Sequence, residues 1–487
     1  MAEEFPTASD VVARVTRSLP AIYVVVAVLL STALCLLTPP FFVPDEPNHA
    51  QREIEIGHGE VIAQRSMQGA GGLIDTNFLQ VARYFGDIEG GLAAQYPTAS
   101  ARPNGRVTVV QLASQQEIHW AHASVFSSFP NTAVYPPVLY LPQALGWRLG
   151  EAANLTILHS LFLSRLLAAY CAIAIGWFAL LLCRSGRGLL FAYLLLPTLL
   201  SLSASCSQDA LLLTVAALAM AVLSRAIAER RLQSVAELLL TAVLLAVCIM
   251  ARTPYMPLAL VLLLPALEVR GTEAKRFFAT VLGVVLVTVL VGGWQLMVRP
   301  LGIMQESAAD PALQIAFLRA HPLKGSLHLV VATVHAVPNL AVKGMEVLGV
   351  NDAFPPSIIY ALLLVGFIGI GCFSRWDGLK EWRSKGLLVF ILLAVVGAMS
   401  LAEYLIWTPP GANRIDGLQS RYYLPLVPFA LFLFSRGLQG LARWKAREQF
   451  LLVAGCVFLA AVLYTPWVAA HRFYGVGPGT AVRFVLK

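Results

Sequence analysis

Long apolar runs with almost no charge recur along the whole chain, and they constrain its fold more than any other feature. The run Leu19–Thr38 follows Arg14 and Arg17. At 1.5 Å per residue it is about one hydrocarbon layer long. Further runs lie near 155–183, 188–205, 208–227, 234–250, 256–268, 277–298, 357–373, 386–405, 422–434 and 449–467, giving eleven expected spans. Those at 256–268 and 422–434 are short enough to need flanking residues. A signal peptide is the weaker reading of the first run, because it is long and no A-x-A site follows. A water-soluble globule cannot hide a 487-residue chain that is 58% apolar and 13% charged, with a mean hydropathy of +0.71. The expectation is an all-α polytopic membrane protein, one integral membrane domain over 1–487, rather than a disordered chain, a coiled coil or a secreted disulfide scaffold.

Charge sets the expected orientation. With a cytoplasmic N-terminus, the inner turns carry 18 basic residues, among them Arg184/Arg187, Arg225/Arg230/Arg231, Arg270/Lys275/Arg276, Arg375/Lys380/Arg383/Lys385 and Arg436/Arg443/Lys445/Arg447. Outer turns carry few, such as Arg252 and the pair Arg414/Arg421, as the positive-inside rule requires. The net charge of +8 therefore reads as membrane topology, not as a nucleic-acid face. The longest polar piece, 39–154, falls outside as a large first extracytoplasmic loop with ten of the 27 acidic residues. A second outer segment runs over 299–356. Its stretch 325–347 contains His328, His335, Pro338, Lys343 and Glu346 and reads as an interfacial helix. Polar chemistry is expected on that outer face, where nucleotides are absent. There is no P-loop, no G-x-G-x-x-G after a strand and no D-x-D; the Gly69–Gly72 patch reads as a turn.

Seven cysteines (35, 171, 183, 206, 248, 372 and 456) lie in or at the ends of apolar segments without a CxxC pair, which argues for small core residues rather than zinc or structural disulfides. His119-Trp120-Ala121-His122 lacks a third ligand in register and reads as loop histidines.

Candidate site residues stand at the outer boundaries. Phe42-Val43-Pro44-Asp45-Glu46-Pro47-Asn48-His49 puts two carboxylates where the first span ends. In a partly dry groove a carboxylate has its pKa raised and can act as a base. Asp45 equally suits an N-cap of a following helix. Tyr135-Pro136-Pro137-Val138-Leu139-Tyr140-Leu141-Pro142 is too proline-dense for a regular helix; it reads either as a segment dipping into the outer leaflet or as an aromatic belt. Arg165, deep in the second run, needs a partner or an anionic ligand, unless it snorkels outward. Asp209 in Ser205-Cys206-Ser207-Gln208-Asp209 is either a cap or a site acid. Arg252, before Thr253-Pro254-Tyr255, and Arg421, in Gly417-Leu418-Gln419-Ser420-Arg421-Tyr422-Tyr423-Leu424-Pro425, suit phosphate recognition or headgroup anchoring.

Taken in order, Pro44-Asp45-Glu46-Pro47-Asn48-His49, Tyr135-Pro136-Pro137, Ser207-Gln208-Asp209 and Gln419-Ser420-Arg421-Tyr422-Tyr423-Leu424-Pro425 resemble the bacterial membrane proteins grouped as domain-of-unknown-function 2142. His321-Pro322-Leu323 and Gly349-Val350-Asn351-Asp352-Ala353-Phe354-Pro355 fit the same pattern, whereas Ser420 stands where glycine is expected. That family is similar to the GT-C glycosyltransferases. The resemblance implies an inner-membrane enzyme that takes a sugar from a polyprenyl-phosphate donor and gives it to a glycan or lipid acceptor on the periplasmic face. It implies Asp45 as base, with Glu46 and His49 holding the acceptor or tuning Asp45. Asp209 and Tyr135 would support the acceptor. Arg252 and Arg421, with Arg165, Gln419 and Tyr422, would neutralise the departing lipid phosphate. A divalent cation, Mg or Mn, is needed by only some such enzymes. The competing expectations are a lipid-linked glycan transporter and a non-enzymatic envelope-assembly protein.

Overall fold

The computed structural model describes residues 8–95, 106–269, 274–302, 308–345, 348, 353–374, 377–434 and 446–485. Arg270, Glu346, Gly349–Asp352, Arg375, Arg436, Arg443 and Lys445 lie outside these residues, as do the side chains of Asp87, Glu89, Lys275, Arg276 and Lys343.

Helix α1 (Ala8–Leu37) carries the first apolar run and stops at Pro39 and Pro40, which cannot donate the hydrogen bonds a further turn needs. The described residues of the expected large loop, 39–95 and 106–154, fold into helices and a small sheet. They comprise α2 (Glu46–Gly57), β1 (Gln64–Ser66), β2 (Gly69–Asp75), α3 (Thr76–Gln95), α4 (Val109–Gln116), β3 (Ser124–Ser128), α5 (Pro130–Ala133) and α6 (Leu141–Ala152). The strands form one antiparallel sheet in the order β1-β2-β3, with Gly71 opposite both Gln64 and Ser128. The glycine patch is therefore the start of β2, not a turn. A Cβ on Gly71 would collide with the Ser127 carbonyl. The Pro136–Pro142 segment makes one 3₁₀ turn, Pro137–Tyr140, and α6 begins directly after it, with Pro142 in the first turn where a missing N–H costs nothing.

The remaining elements are α7 (Ile157–Leu182), α8 (Arg187–Leu194), α9 (Pro197–Ser203), α10 (Asp209–Ala228), α11 (Val235–Ala251), a 3₁₀ stretch Thr253–Leu263 running into α12 (Leu264–Glu268), and α13 (Ala274–Val298). They continue through α14 (Pro311–Ala320), α15 (Pro322–Lys343), α16 (Ser357–Phe373), α17 (Trp382–Ile406), α18 (Val427–Ala430), α19 (Arg447–Leu463), α20 (Thr465–Tyr474) and α21 (Pro478–Val485). Among the described residues, six helical stretches are long and apolar enough to cross a bilayer: Ser9–Leu37, Ile157–Leu182, Asp209–Ala228, Phe277–Leu301, Trp382–Ile406 and Arg447–Tyr474. Four more apolar helices, Val235–Ala251, Thr253–Glu268, Ser357–Phe373 and Ser420–Phe434, are shorter. The expected span 188–205 is broken into α8 and α9, because Pro197 removes the N–H and the space that α8 would need to continue. Prolines 254 and 257 lie in the 3₁₀ stretch Thr253–Leu263 and Pro425 in the 3₁₀ turn Leu424–Leu426, so the two shortest runs alternate 3₁₀ and short α pieces, Pro428 standing in the first turn of one of the latter.

Helix α10 is the hub, with 89% of its apolar stretch covered by protein against 28–44% for the other five long helices. Helix α6 packs along α7 through Gly146 and Gly150, whose Cα atoms rest on Ser164 and Ser160; a side chain at either glycine would strike the facing helix. Helix α15, the expected interfacial helix, is one continuous helix. It exposes Leu323, Leu327, Val330 and Val334 along one stripe, and it is not among the helices long and apolar enough to span.

This arrangement gathers the end of α1 and of α11, the start of α10, the end of α17 and the Ser420–Tyr422 turn at one end of the bundle. At the other end Arg231 pairs with Glu237 (2.6 Å), Arg230 with Glu268 (2.8 Å) and Arg184 with Glu229 (3.5 Å).

Candidate functional site

The site begins at the corner between α1 and α2. Two non-glycine residues there, Phe41 (φ 64°) and Asp45 (φ 62°), adopt the left-handed conformation. Each such residue costs about 1–2 kcal/mol, with aspartate among the most tolerant. Asp45 occupies the N-cap position of α2, yet its side chain makes no capping hydrogen bond. The turn points that carboxylate away from the helix and towards Arg421.

A buried ion pair sets the corner. Arg165, on α7, is fully buried, as is Glu46. The guanidinium grips both carboxylate oxygens: Nε donates to Oε1 (2.8 Å) and Nη2 to Oε2 (2.6 Å). Its other N–H groups donate to the carbonyls of Cys35 (3.3 Å), Thr38 (2.7 Å) and Pro39 (3.0 Å), the open end of α1. Glu46 Oε1 also accepts from the Cys206 backbone N–H at 3.0 Å. Arg165 thus ties the last turn of α1 to the first turn of α2. This corrects two expectations: Arg165 has no donor left for a ligand phosphate, and Glu46 has no oxygen free for a substrate. Both residues hold Asp45 in place from behind.

In front of that corner lie two more arginines. Arg421 donates from Nη2 to Asp45 Oδ2 at 2.6 Å and from Nη1 to the Pro44 carbonyl at 3.3 Å, and Nη1 stands 3.2 Å from Asp209 Oδ2. Arg252, at the C-cap of α11, donates from Nη2 to both oxygens of Asp209, at 2.9 and 3.1 Å. Asp209 opens α10, where the helix dipole favours its charge. The Arg252 guanidinium lies 4.2 Å above the Tyr422 ring, and Tyr422 is held by its carbonyl accepting from the Tyr255 hydroxyl at 2.7 Å. Two donors in this cluster are buried with no acceptor, Arg252 Nη1 and Arg421 Nε. The side chains of Arg252, Arg421 and Asp209 are 8%, 5% and 1% exposed, whereas that of Asp45 is 40% exposed. Asp45 is therefore the open edge of an otherwise closed cluster.

Burial alone would raise the Asp45 carboxyl, but the charge and hydrogen bond of the Arg421 guanidinium, with the charge of Arg252, outweigh it and hold Asp45 below the usual carboxylate range. The raised pKa expected from a dry boundary is thus reversed in the resting protein. His49 sits behind Asp45 on α2, with Nδ1 2.6 Å from the Tyr140 hydroxyl and its ring stacked on Tyr135 at 6.2 Å between centroids. Burial of Tyr135 raises its hydroxyl, which stays protonated. Burial, reinforced by Arg421 and Arg252 against Asp45 and Asp209, pushes His49 down from its ordinary 6.5 to about 4. The imidazole is therefore folded away neutral, and protons favour the unfolded chain as the pH falls from 6.5 towards 4. Thermal stability in detergent is expected to be lost progressively across that window, and His49→Gln to flatten that part of the profile. An unchanged slope in the variant contradicts the buried neutral imidazole.

The sequence reading missed Glu403. It lies near the end of α17, is 7% exposed, and is close enough to interact electrostatically with Arg252, Arg421 and Asp45. Its Oε2 is buried without a partner, and Gly417 (φ 84°) passes so near that a Cβ there would stand 2.6 Å from it. The signal available was a single acid inside an otherwise apolar run. Gln419 precedes the Ser420–Tyr422 turn with its Oε1 buried and unpartnered. His119 and His122 belong elsewhere: His119 bonds the Asn154 carbonyl at 3.0 Å, and His122 shares Glu151 with His58 beside a cavity of about 350 Å³. The cluster's donor set does not suit a divalent cation. Asp45 and Asp209 already face guanidinium groups, and among the described residues no three metal-ligating side chains group together.

Fold and site together define a helical membrane protein with a buried arginine–carboxylate centre at one end of its bundle. The chain belongs to the family described as predicted membrane protein DUF2142, whose pattern matches residues 28–430 and so contains all of these site residues. Among curated proteins none matches the chain.

Proposed function

We propose that this protein is a membrane glycosyltransferase that moves a sugar from a polyprenyl-phosphate donor to a glycan or lipid acceptor. The observation that carries the reading is the pair of buried, unpartnered guanidinium donors, Arg252 Nη1 and Arg421 Nε, beside one accessible carboxylate. Unsatisfied buried N–H groups on charged side chains cost several kcal/mol unless a ligand supplies acceptors, and phosphate oxygens are acceptors that suit guanidinium groups. In this reading Arg252 and Arg421 hold the phosphate and stabilise the charge it gains as the glycosidic bond breaks. Gln419 and Tyr422 border it. Asp45 accepts the acceptor hydroxyl's proton, with His49 and Tyr135 lining its side. Glu46 and Arg165 position Asp45, and Asp209 positions both arginines.

Arg421→Ala is expected to weaken donor binding by about tenfold to several hundredfold, the worth of one charge-assisted contact or two, while acceptor affinity changes little. Equilibrium binding of a polyprenyl phosphate and of the acceptor to the purified variant measures this, and equal losses count against a phosphate role. The reading also requires the cluster to face the periplasm of a bacterial inner membrane, with the N-terminus cytoplasmic. The basic residues at the opposite end of the bundle support that orientation. Reporters fused within 39–154 are expected to behave as extracytoplasmic; a cytoplasmic signal overturns the lipid-linked donor.

A further inference from the structure

In the resting protein Arg421 holds the very carboxylate that transfer needs free. Its Nη2 is 2.6 Å from Asp45 Oδ2, and the two guanidinium groups, Arg252 and Arg421, are already matched by the carboxylates of Asp45 and Asp209, with Glu403 a third acid close by. A phosphate entering this nearly closed cluster brings excess negative charge and competes with Asp45 for Arg421. The other groups facing Asp45 come from separate elements: Arg252 at the end of α11, Asp209 on α10, His49 on α2 and Glu403 on α17. Of these only Arg252 is cationic, and its Nη2 is held by both oxygens of Asp209, while His49 is neutral and Glu403 acidic, so none takes over the contact that Arg421 makes with Asp45.

We propose that Arg421 is a latch on the base: it grips Asp45 at rest, and a donor phosphate that draws the guanidinium away frees Asp45 to take the acceptor's proton. The proposal rests on the glycosyl-transfer reading. The step balances within the named groups. The acceptor O–H proton passes to Asp45, the acceptor oxygen bonds to the anomeric carbon, and the bond from that carbon to the phosphate oxygen breaks with its electron pair. Polyprenyl phosphate leaves, Asp45 releases its proton through its exposed edge, and Arg421 returns. Without a donor the base stays engaged, so neither water nor acceptor is activated early. The order of events is donor first.

The test uses the full-length protein in nanodiscs, with undecaprenyl phosphate or the neutral alcohol undecaprenol as probe. Carbodiimide modifies protonated carboxyl groups, and peptide mass spectrometry reads its yield at Asp45 across a pH series. Retention of each lipid is measured in the same samples. The expected result is retention of the phosphate over the alcohol and an Asp45 labelling profile displaced to higher pH by the phosphate alone. Arg421→Gln is expected to show the displaced profile without lipid. Retention of the phosphate with an unmoved Asp45 profile in the wild-type protein overturns the latch and leaves the phosphate site standing. No preference for the phosphate overturns the site and the latch together. The wild-type comparison decides the matter even where the variant does not fold.

Discussion

Asp45→Asn is expected to abolish sugar transfer in a protein that still folds. Losing a general base typically costs about 10²–10⁴ in rate, so product formation should fall by at least about a hundredfold. Asparagine is isosteric, and its side-chain oxygen can still accept from Arg421 Nη2, while Arg421 keeps its contact with Asp209 at 3.2 Å. Asparagine also tolerates the left-handed conformation that position 45 adopts (φ 62°), so the turn is retained. Expression and elution in size-exclusion chromatography should match the wild type. Near-normal turnover of a lipid-linked sugar by the variant removes Asp45 as the base, and with it the Arg421 latch.

The second large effect is on folding rather than chemistry. Removing either partner of the Glu46–Arg165 pair leaves a buried charge without its counterion, a loss of about 3–5 kcal/mol. Arg165→Ala strips the open end of α1 of three carbonyl partners as well, so it should be at least as severe as Glu46→Ala. Thermal unfolding in detergent and the yield of monodisperse protein measure both. The double variant should lose less than the sum of the two single ones, because it removes both buried charges together. If Arg165 instead served a ligand, Arg165→Ala would fold at wild-type stability and lose donor binding only.

These contrasts mark what was legible in the residues. Hydropathy located nearly every apolar helix, because burial in lipid or in α10's surroundings demands the same side chains. It overcounted clean spans where proline intervened, as at Pro197, since an apolar index does not register a missing N–H. The boundary charges Asp45, Asp209, Arg252 and Arg421 stood out because charges at span ends are few, and the fold does bring these four together. Their pairing was not legible. Arg421 lies 376 positions from Asp45, and only that contact turns a carboxyl expected to be raised into one held low. Arg165 was recognisable as a buried charge in need of a partner. Nothing in sequence spacing told a protein carboxylate from a ligand phosphate, and the fold supplies Glu46.

The segment 39–154 shows the same limit from another side. Helix α2 carries Glu46, His49, Arg52, Glu53 and Glu55, five ionisable residues in one short helix, yet all five are buried. Glu53 accepts from Trp147 Nε1 at 2.9 Å and is raised well above the usual range by burial, while Arg52 pairs with Glu55 at 2.5 Å. Polar residues here turn inward because neighbouring elements cover them, and hydrogen bonds from Arg165 and Cys206 to Glu46, from Trp147 to Glu53, between His49 and Tyr140, and from Arg52 to the Val61 carbonyl offset part of the cost. Glu403 was hidden in the opposite way, inside a run whose apolar average masked one acid.

The most direct measurement is turnover by the purified protein in liposomes loaded with a polyprenyl-phosphate sugar and candidate acceptors, followed by mass spectrometry of both lipid and glycan. The account predicts free polyprenyl phosphate together with a glycosylated acceptor, both lost in Asp45→Asn. Lipid-linked sugar that crosses the bilayer intact, or that remains unbound and unconsumed in every condition, contradicts it.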